Sequence, residues 1–321
     1  MSVLVLLENW DGKFKKQTWE AATYAAKTAK LTGTEAIGVT IGNIDGDAAE
    51  AGKYGVSKVI TVAMDAEKFD AHRYASILKN LAADNGADTV VLSGTFNGKA
   101  IAPILAVDME AGLITNATEH PSSASPFTVK RSVFSSKGFV EYSTNEANKI
   151  VVFIPNATAL EETGGSAQVV SADANEGDAP KVDVLSLDRA KGAIPLPEAE
   201  RVVSGGRGMK GPENWGMLEE LAELLDAGTA CSKPVSDMGW RPHTEHVGQT
   251  GIAINPDLYI AVGISGAIQH LAGVSNSKTI VVINNDAEAP FFKAADYGVV
   301  GDAFDVIPRL TEAIKNFKAN N

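Results

Sequence analysis

The sequence predicts an α/β protein made of two doubly wound, mostly parallel-sheet domains, the first with an antiparallel addition. Three observations lead there. Short Val/Ile-rich runs recur along the chain with helical spacing between them, the pattern of parallel strands joined by crossover helices. The length, 321 residues, is that of about two domains at roughly 150 residues each. Cys231 is the one cysteine, so no internal disulfide is available and each domain must rest on its own apolar core.

The elements follow in order. VLVLLEN (3–9) is an apolar first strand, and Lys16 to Thr32 has helical spacing up to Gly33. EAIGVTIG (35–42) and VSKVITVA (56–63) are strands around a short Ala-rich helix at 48–54. Ala71 to Asn85 is a helix stopped by Gly86, ADTVVLSG (87–94) a strand, and Lys99 to Glu110 a helix. ITNATE, FTVKRSVFSS, FVEYST and KIVVFIP then follow without a helix, which predicts the antiparallel addition across 114–155. The stretch 172–200 is polar and carries three prolines. The division expected is 1–188, a linker at 189–200, and 201–321. In the second domain RVVSGGRGM (201–209), LYIAVGI (258–264), KTIVVINN (278–285) and YGVVGD (297–302) read as strands. Helices are expected at 212–227, after SGAIQHLAG begins, at 289–296 and from Ala303 to about Lys318.

Composition removes several function classes. The net charge is −12 and no Lys/Arg run forms a basic face, so no nucleic-acid partner is expected. The acidity serves solubility or docking to basic partner surfaces. No apolar run approaches the roughly 20 residues of a membrane-spanning helix, and a membrane-embedded protein is not expected. MSVLVLLENWDGK lacks a basic n-region and a cleavage site and reads as a strand, not a signal peptide. The expected location is a bacterial-type cytoplasm or an organelle matrix. His72, His120, His243, His246 and His270 fall in no HxH, HxxxH or HExxH spacing, so no metal is expected.

Open α/β sheets bind ligands outside the carboxyl ends of their strands. Several segments of the second domain fall there. SGGRGM (204–209) sets glycines around Arg207, which suits a phosphate or a tight turn alike. It is no P-loop, since Gly-Lys-Ser/Thr is missing. ACSKPVSDMGW (230–240) offers Ser232 and Lys233 to a phosphate or ring, or is a solvated loop. Cys231 beside them reads as a small buried residue. HVGQTG (246–251) presents Gln249 and Thr250 on a permissive backbone, or merely turns. GISGAIQH (263–270) runs from a strand through Ser265 and Gly266 into a helix, so helix-start amides and a hydroxyl are expected at one point. It is not a Gly-x-Ser-x-Gly nucleophile elbow, because Gly266 directly follows Ser265. Asn284 and Asp302 end later strands and suit adenosine contacts or helix caps. In the first domain SGTFNGKAIAP (93–103) is an anion-binding turn or a plain connection.

The run LYIAVGISGAIQHLAGVSNSKTIVVINND (258–286) resembles the C-terminal signature of electron-transfer flavoprotein alpha subunits. SGGRGM, HVGQTG, APFFKAADYGVVGD, the VLVLLE start and GTFNGKAIAP match in the same order, so the resemblance covers nearly the whole chain. It implies a heterodimer of alpha and beta subunits (ETF alpha and ETF beta) with one FAD in the C-terminal domain. It also implies AMP, or a second FAD, in the beta subunit. Its FAD contacts carry over onto Arg207, Ser232, Lys233, Val247, Gln249, Thr250, Gly263, Ser265, Gly266, Gln269, His270, Asn284 and Asp302. Many members have Arg where this chain has Lys233, which keeps the charge but loses the planar fork.

The implied function is electron transport: FAD shuttles electrons from flavoprotein dehydrogenases, such as the acyl-CoA dehydrogenases of fatty acid β-oxidation, to a membrane quinone reductase, the ETF-quinone oxidoreductase. No catalytic residue is expected. The flavin-tuning candidates are His270 as a positive group beside N1/C2=O, Thr250 near N5 and Lys233 over the ring. The rival readings are a nicotinamide-dependent oxidoreductase or transhydrogenase, and a non-redox AMP-binding module. No GxGxxG followed by an acidic residue supports the first.

Overall fold

A computed structural model describes residues 1–64, 69–134, 138–174, 182, 184–185 and 194–320. The chain divides into two compact units, Met1–Ser132 with Phe139–Arg189, and Val133–Gly138 with Ala190–Asn321.

The first unit contains β1 (Ser2–Leu6), a small hairpin of β2 (Asn9–Trp10) and β3 (Lys13–Phe14), α1 (Lys16–Thr32), β4 (Glu35–Ile41) and β5 (Lys58–Val62). Then come α2 (Ala71–Asp84), β6 (Ala87–Ser93), α3 (Phe96–Asp108), β7 (Gly112–Ala117), β8 (Ser123–Ala124), β9 (Phe127–Val133), β10 (Gly138–Thr144), β11 (Lys149–Phe153) and β12 (Gln168–Ala172). The spatial order is β10-β9-β7-β11-β6-β1-β4-β5-β12, with β8 paired to β9. Period-2 alternation puts Leu4 and Leu6 in the core with α2 and α3, and Val3, Val5 and Leu7 in the core with α1. Each such side chain, fully buried, contributes about 1.5–3 kcal/mol. α1 stops where the sequence predicts: Gly33 adopts φ +69°, and the Thr34 N–H returns to the Ala29 carbonyl at 2.8 Å.

The first unit differs from the sequence reading in several places. The 114–155 addition is only partly antiparallel. β7 and β8 pair antiparallel with β9, whereas β11 inserts between β6 and β7 and is parallel to both. The cause is the apolar run KIVVF, buried over its last four residues, which suits a central strand better than a half-solvated edge. The 48–54 helix is a 3₁₀ turn, Ala48–Tyr54, and β2, β3, β8 and β12 have no counterpart in the sequence reading.

The second unit contains β13 (Arg201–Gly205), α4 (Gly216–Leu224), β14 (Gly228–Cys231), α5 (Lys233–Asp237), β15 (Leu258–Val262), α6 (Ile268–Leu271), β16 (Thr279–Asn284), β17 (Tyr297–Val300) and α7 (Ala303–Asn320). The order is β14-β13-β15-β16-β17, with every neighbouring pair parallel. Numbered along the chain this is 2-1-3-4-5, so the winding reverses between β13 and β15 and leaves a crevice at their carboxyl ends. Val203, Ile260 and Val262 pack with α4 and α7 residues, while Val202, Tyr259 and Ala261 form a second core layer with Phe291. The expected 212–227 helix is a 3₁₀ turn (Pro212–Asn214) followed by the shorter α4, and 289–296 is a 3₁₀ turn, Pro290–Ala294. Within the expected linker, Leu196 and Ala199 are buried in the second unit's core, and 189–193 lie outside the described residues.

Candidate functional site

The crevice between β13 and β15 is built from glycine backbone. The Gly206 N–H donates to the Val262 carbonyl at 2.9 Å, and the Gly208 N–H to the Gly263 carbonyl at 3.0 Å. A Cβ at Gly206 would overlap the Gly263 carbonyl, and one at Gly208 would stand 2.6 Å from Gly263 Cα. Gly263 itself has φ +61°. Two strand ends therefore touch with no side chain between them. A 3₁₀ turn, Arg207–Met209, leaves Arg207 exposed at this edge.

β14 brings the next pair. Ser232 follows its last residue, with the Ser232 N–H donating to the Gly205 carbonyl at 3.1 Å. Ser232 is buried at the start of α5 and its hydroxyl makes no cap bond, while Lys233, the first residue of α5, is exposed. The 246–251 loop extends this edge, since the Val247 N–H donates to the Cys231 carbonyl at 3.1 Å. Gly248 has φ +149° and the Gln249 N–H donates to the Gln269 carbonyl at 2.7 Å. Gln249 and Thr250 are exposed and Val247 is buried.

After β15 the structure departs from the expected helix start. α6 has four residues and begins three positions after Ser265. Gly266, at φ +83°, first turns the chain over Phe291, whose N–H donates to the Ser265 carbonyl at 3.1 Å. A Cβ at Gly266 would lie 2.6 Å from Phe291 Cα. The amide array expected at Ser265 is thus replaced by a turn. Ser265 and Gln269 are exposed there, and His270 is buried.

Asn284 and Asp302 serve structure within this chain. Asn284 Nδ2 donates to the Ile264 carbonyl at 3.0 Å, and its Oδ1 accepts from the Asp286 N–H at 3.1 Å. The side chain thereby ties the end of β16 to the turn after β15. Asp302 Oδ1 accepts from the Phe304 N–H at 3.0 Å, at the start of α7, and its Oδ2 stands 3.5 Å from Lys210 Nζ.

Sequence reasoning missed Tyr259. Its phenol oxygen is 2.8 Å from His270 Nε2, with both side chains buried against Phe291. The available signal was one tyrosine in an otherwise aliphatic strand, LYIAV. Burial pushes His270 down to about 4, with His246 adding to the shift and the Val247 backbone opposing it. In the chain alone the imidazole is therefore neutral at neutral pH, where the sequence led to an expectation of a positive group. The His270 Nδ1 makes no hydrogen bond of good geometry among the described residues. Cys231 is buried and its thiol is pushed up to about 12, mainly by desolvation.

The first unit holds a cavity of about 310 Å³ beyond the ends of β1 and β4, lined by Glu8, Asp11, Asp45 and Asn97 among others and, among the described residues, by no Lys or Arg. At the 93–103 turn, Thr95 Oγ1 donates to Glu8 Oε1 at 2.8 Å and accepts from the Gly98 N–H at 2.9 Å. The turn is a helix cap beside a carboxylate, a poor place for an anion.

Residues 195–275 match the electron transfer flavoprotein FAD-binding domain, and residues 3–177 match the electron transfer flavoprotein domain. The chain is 38% identical over 323 residues to the electron transfer flavoprotein subunit alpha of Bacillus subtilis, covering 99% of both chains. The chain belongs to the electron transfer flavoprotein alpha-subunit family. It is 36% identical over 323 residues to the alpha subunit of Syntrophomonas wolfei, covering 97% of this chain and 98% of the relative. It is 38% identical over 320 residues to that of Pseudomonas aeruginosa, covering 98% of this chain and all of the relative. The family's domain names FAD as the cofactor of the second unit, and an electron carrier, not an enzyme turning over a substrate of its own, as the function. Among the described residues no helix is long and apolar enough to cross a membrane.

Proposed function

We propose that FAD lies along the carboxyl edge of the second sheet and that this alpha-subunit chain passes electrons between protein partners as one half of an alpha–beta heterodimer. The observation that carries the placement is the glycine-opened crevice at the β13/β15 reversal, flanked by exposed Arg207 and Lys233. A dinucleotide brings a pyrophosphate, a polyol and a flat ring. Bare backbone and two cations suit the first. Ser232, Ser265 and Gln269 offer groups for the second. Gln249, Thr250 and His270 line the approach for the third, with the backbone of Val247, Gly263 and Gly266 beside them. Among the described residues the buried Nδ1 of His270 makes no hydrogen bond of good geometry, the Val247 backbone being the polar group that acts on the ring, and this leaves its N–H available to a ligand.

Bound FAD supplies the redox chemistry, and the chain supplies binding, orientation and electrostatics. Arg207 offsets the pyrophosphate charge, and Lys233 brings its charge over the ring or to the pyrophosphate. Lys233 acts as a point charge without the stacking plane of an arginine. Asn284 and Asp302 are in this reading the contacts for the adenosine portion, while the first also holds the Ile264 turn and the second caps α7.

In this reading the partners are an ETF beta subunit carrying AMP or a second FAD, flavoprotein dehydrogenases such as acyl-CoA dehydrogenases as donors, and a membrane quinone reductase as acceptor. The test is co-expression with the beta subunit, followed by a coupled assay. A complex that bleaches in the presence of an acyl-CoA dehydrogenase and its substrate, and recovers with a quinone reductase, supports the assignment. A complex that carries flavin but takes no electrons from such dehydrogenases overturns the donor assignment.

A further inference from the structure

The phenol of Tyr259 and the imidazole of His270 form a buried pair whose protons can be counted. Tyr259 is fully buried in the middle layer of the second unit, and burial raises its phenol well above the ordinary range, so it keeps its proton. The acceptor at hydrogen-bond distance is His270 Nε2, at 2.8 Å. Ser204, on the adjacent strand β13, lies close enough to perturb the phenol but makes no hydrogen bond of good geometry with it. If Nε2 carried the proton and donated to the phenol oxygen, the phenol hydrogen would be left buried without an acceptor. Such a group is costly, so the phenol donates. A neutral imidazole has a single N–H, and with Nε2 accepting, that N–H is on Nδ1.

We propose that Tyr259 is a positioning residue of the cofactor site: its O–H donates to His270 Nε2 and fixes the ring as the neutral tautomer with its proton on Nδ1. The surroundings leave the ring little alternative. Phe291 meets it edge-on at 5.7 Å and the Tyr259 ring lies 6.1 Å away. The titratable group beside it from the 246–251 loop is His246, whose charge would disfavour a second positive ring. His270 then presents a fixed N–H donor without a net charge. That it presents this donor to FAD rests on the placement proposed above. The tautomer itself does not. The consequence is a donor that stays in place across neutral pH and takes up no proton of its own.

The experiment uses the alpha–beta complex with isotope-labelled histidine, with and without FAD, as wild type and as Tyr259→Phe. Long-range nitrogen–proton correlation spectra read both ring nitrogens, and His270→Gln assigns the signal. The result expected is a protonated, pyrrole-type Nδ1 and a hydrogen-bonded, pyridine-type Nε2, both unmoved across the ordinary histidine titration range. In Tyr259→Phe the Nε2 signal shifts toward the unbonded pyridine-type position. A proton on Nε2 in the wild type, a His270 that titrates in that range, or an Nε2 signal unmoved by Tyr259→Phe would overturn the proposal. If Tyr259→Phe does not fold, the wild-type spectra decide alone. Adding FAD separates the two readings: an Nδ1 signal that ignores FAD removes the cofactor contact, while the tautomer stands or falls on the flavin-free spectra.

Discussion

Gly206 and Gly263 touch backbone to backbone across the β13/β15 crevice, so closely that any side chain at Gly206 would overlap the Gly263 carbonyl. The contact is fixed by sheet register, since Gly205 pairs with Val262 one residue earlier on each strand. Neither chain can retreat without losing the ladder. Gly206→Ala is therefore expected to destabilise the second unit by about 1–3 kcal/mol, the usual cost of overpacking a close contact. Chemical denaturation reads the loss, and FAD occupancy should fall with it. Unchanged stability would mean that the two strand ends are not in contact.

Arg207 and Lys233 are exposed, so their removal should separate binding from folding. Arg207→Ala and Lys233→Ala are each expected to weaken FAD binding roughly tenfold, about 1.4 kcal/mol. Stability of the flavin-free protein should stay within about 0.5 kcal/mol. Titration of flavin-free complex with FAD, followed by fluorescence quenching, gives the affinity. Two variants that bind as wild type would place the pyrophosphate elsewhere.

Cys231 lies in the core under α5, and burial pushes its thiol up to about 12. Thiolate is the reactive form, so the native thiol should resist alkylation and react fully once denaturant is added. Rapid labelling of the native complex at neutral pH would contradict the buried placement.

Two histidines set an acid limit. His270 and His120 are each lowered from 6.5 to about 4, chiefly by desolvation, with Lys27 adding to the shift at His120. The unfolded chain then binds more protons than the folded one between these values. Their stabilising contribution is whole above the unfolded value and is lost as pH falls through about 6.5 towards about 4. The loss is on the order of 2–3 kcal/mol for His270 and on the order of 1 kcal/mol for the more accessible His120. Unfolding free energies across this range should fall with pH, and less steeply in His270→Gln. A flat profile would show that the rings are solvated.

Much of the fold was legible because local signals agreed with the tertiary structure. α1 runs from Lys16 to Thr32 because helical spacing ends at a glycine free to adopt φ +69°. β11 was misjudged for a physical reason: apolar content marks a central strand, but spacing along the chain does not say between which neighbours it inserts. The site divides the same way. The glycine-rich strand ends and the exposed Arg207 and Lys233 are visible as residues at strand ends. Gly266 carried a turn that a helical pattern hides. Asn284 has both ends of its amide committed to backbone, and only coordinates reveal that. The charge state of His270 follows from its burial, and its hydrogen bond to Tyr259, eleven positions earlier in sequence, forms only in space.

FAD binding at the carboxyl edge of the second sheet is tested most directly by the flavin content of the purified alpha–beta complex. Visible absorbance, together with extraction and quantification of the released cofactor, should give FAD bound in the wild type and reduced occupancy in Gly206→Ala and Arg207→Ala. FAD retained at wild-type occupancy and affinity in both variants, or a complex that stays colourless after incubation with excess FAD, would contradict it.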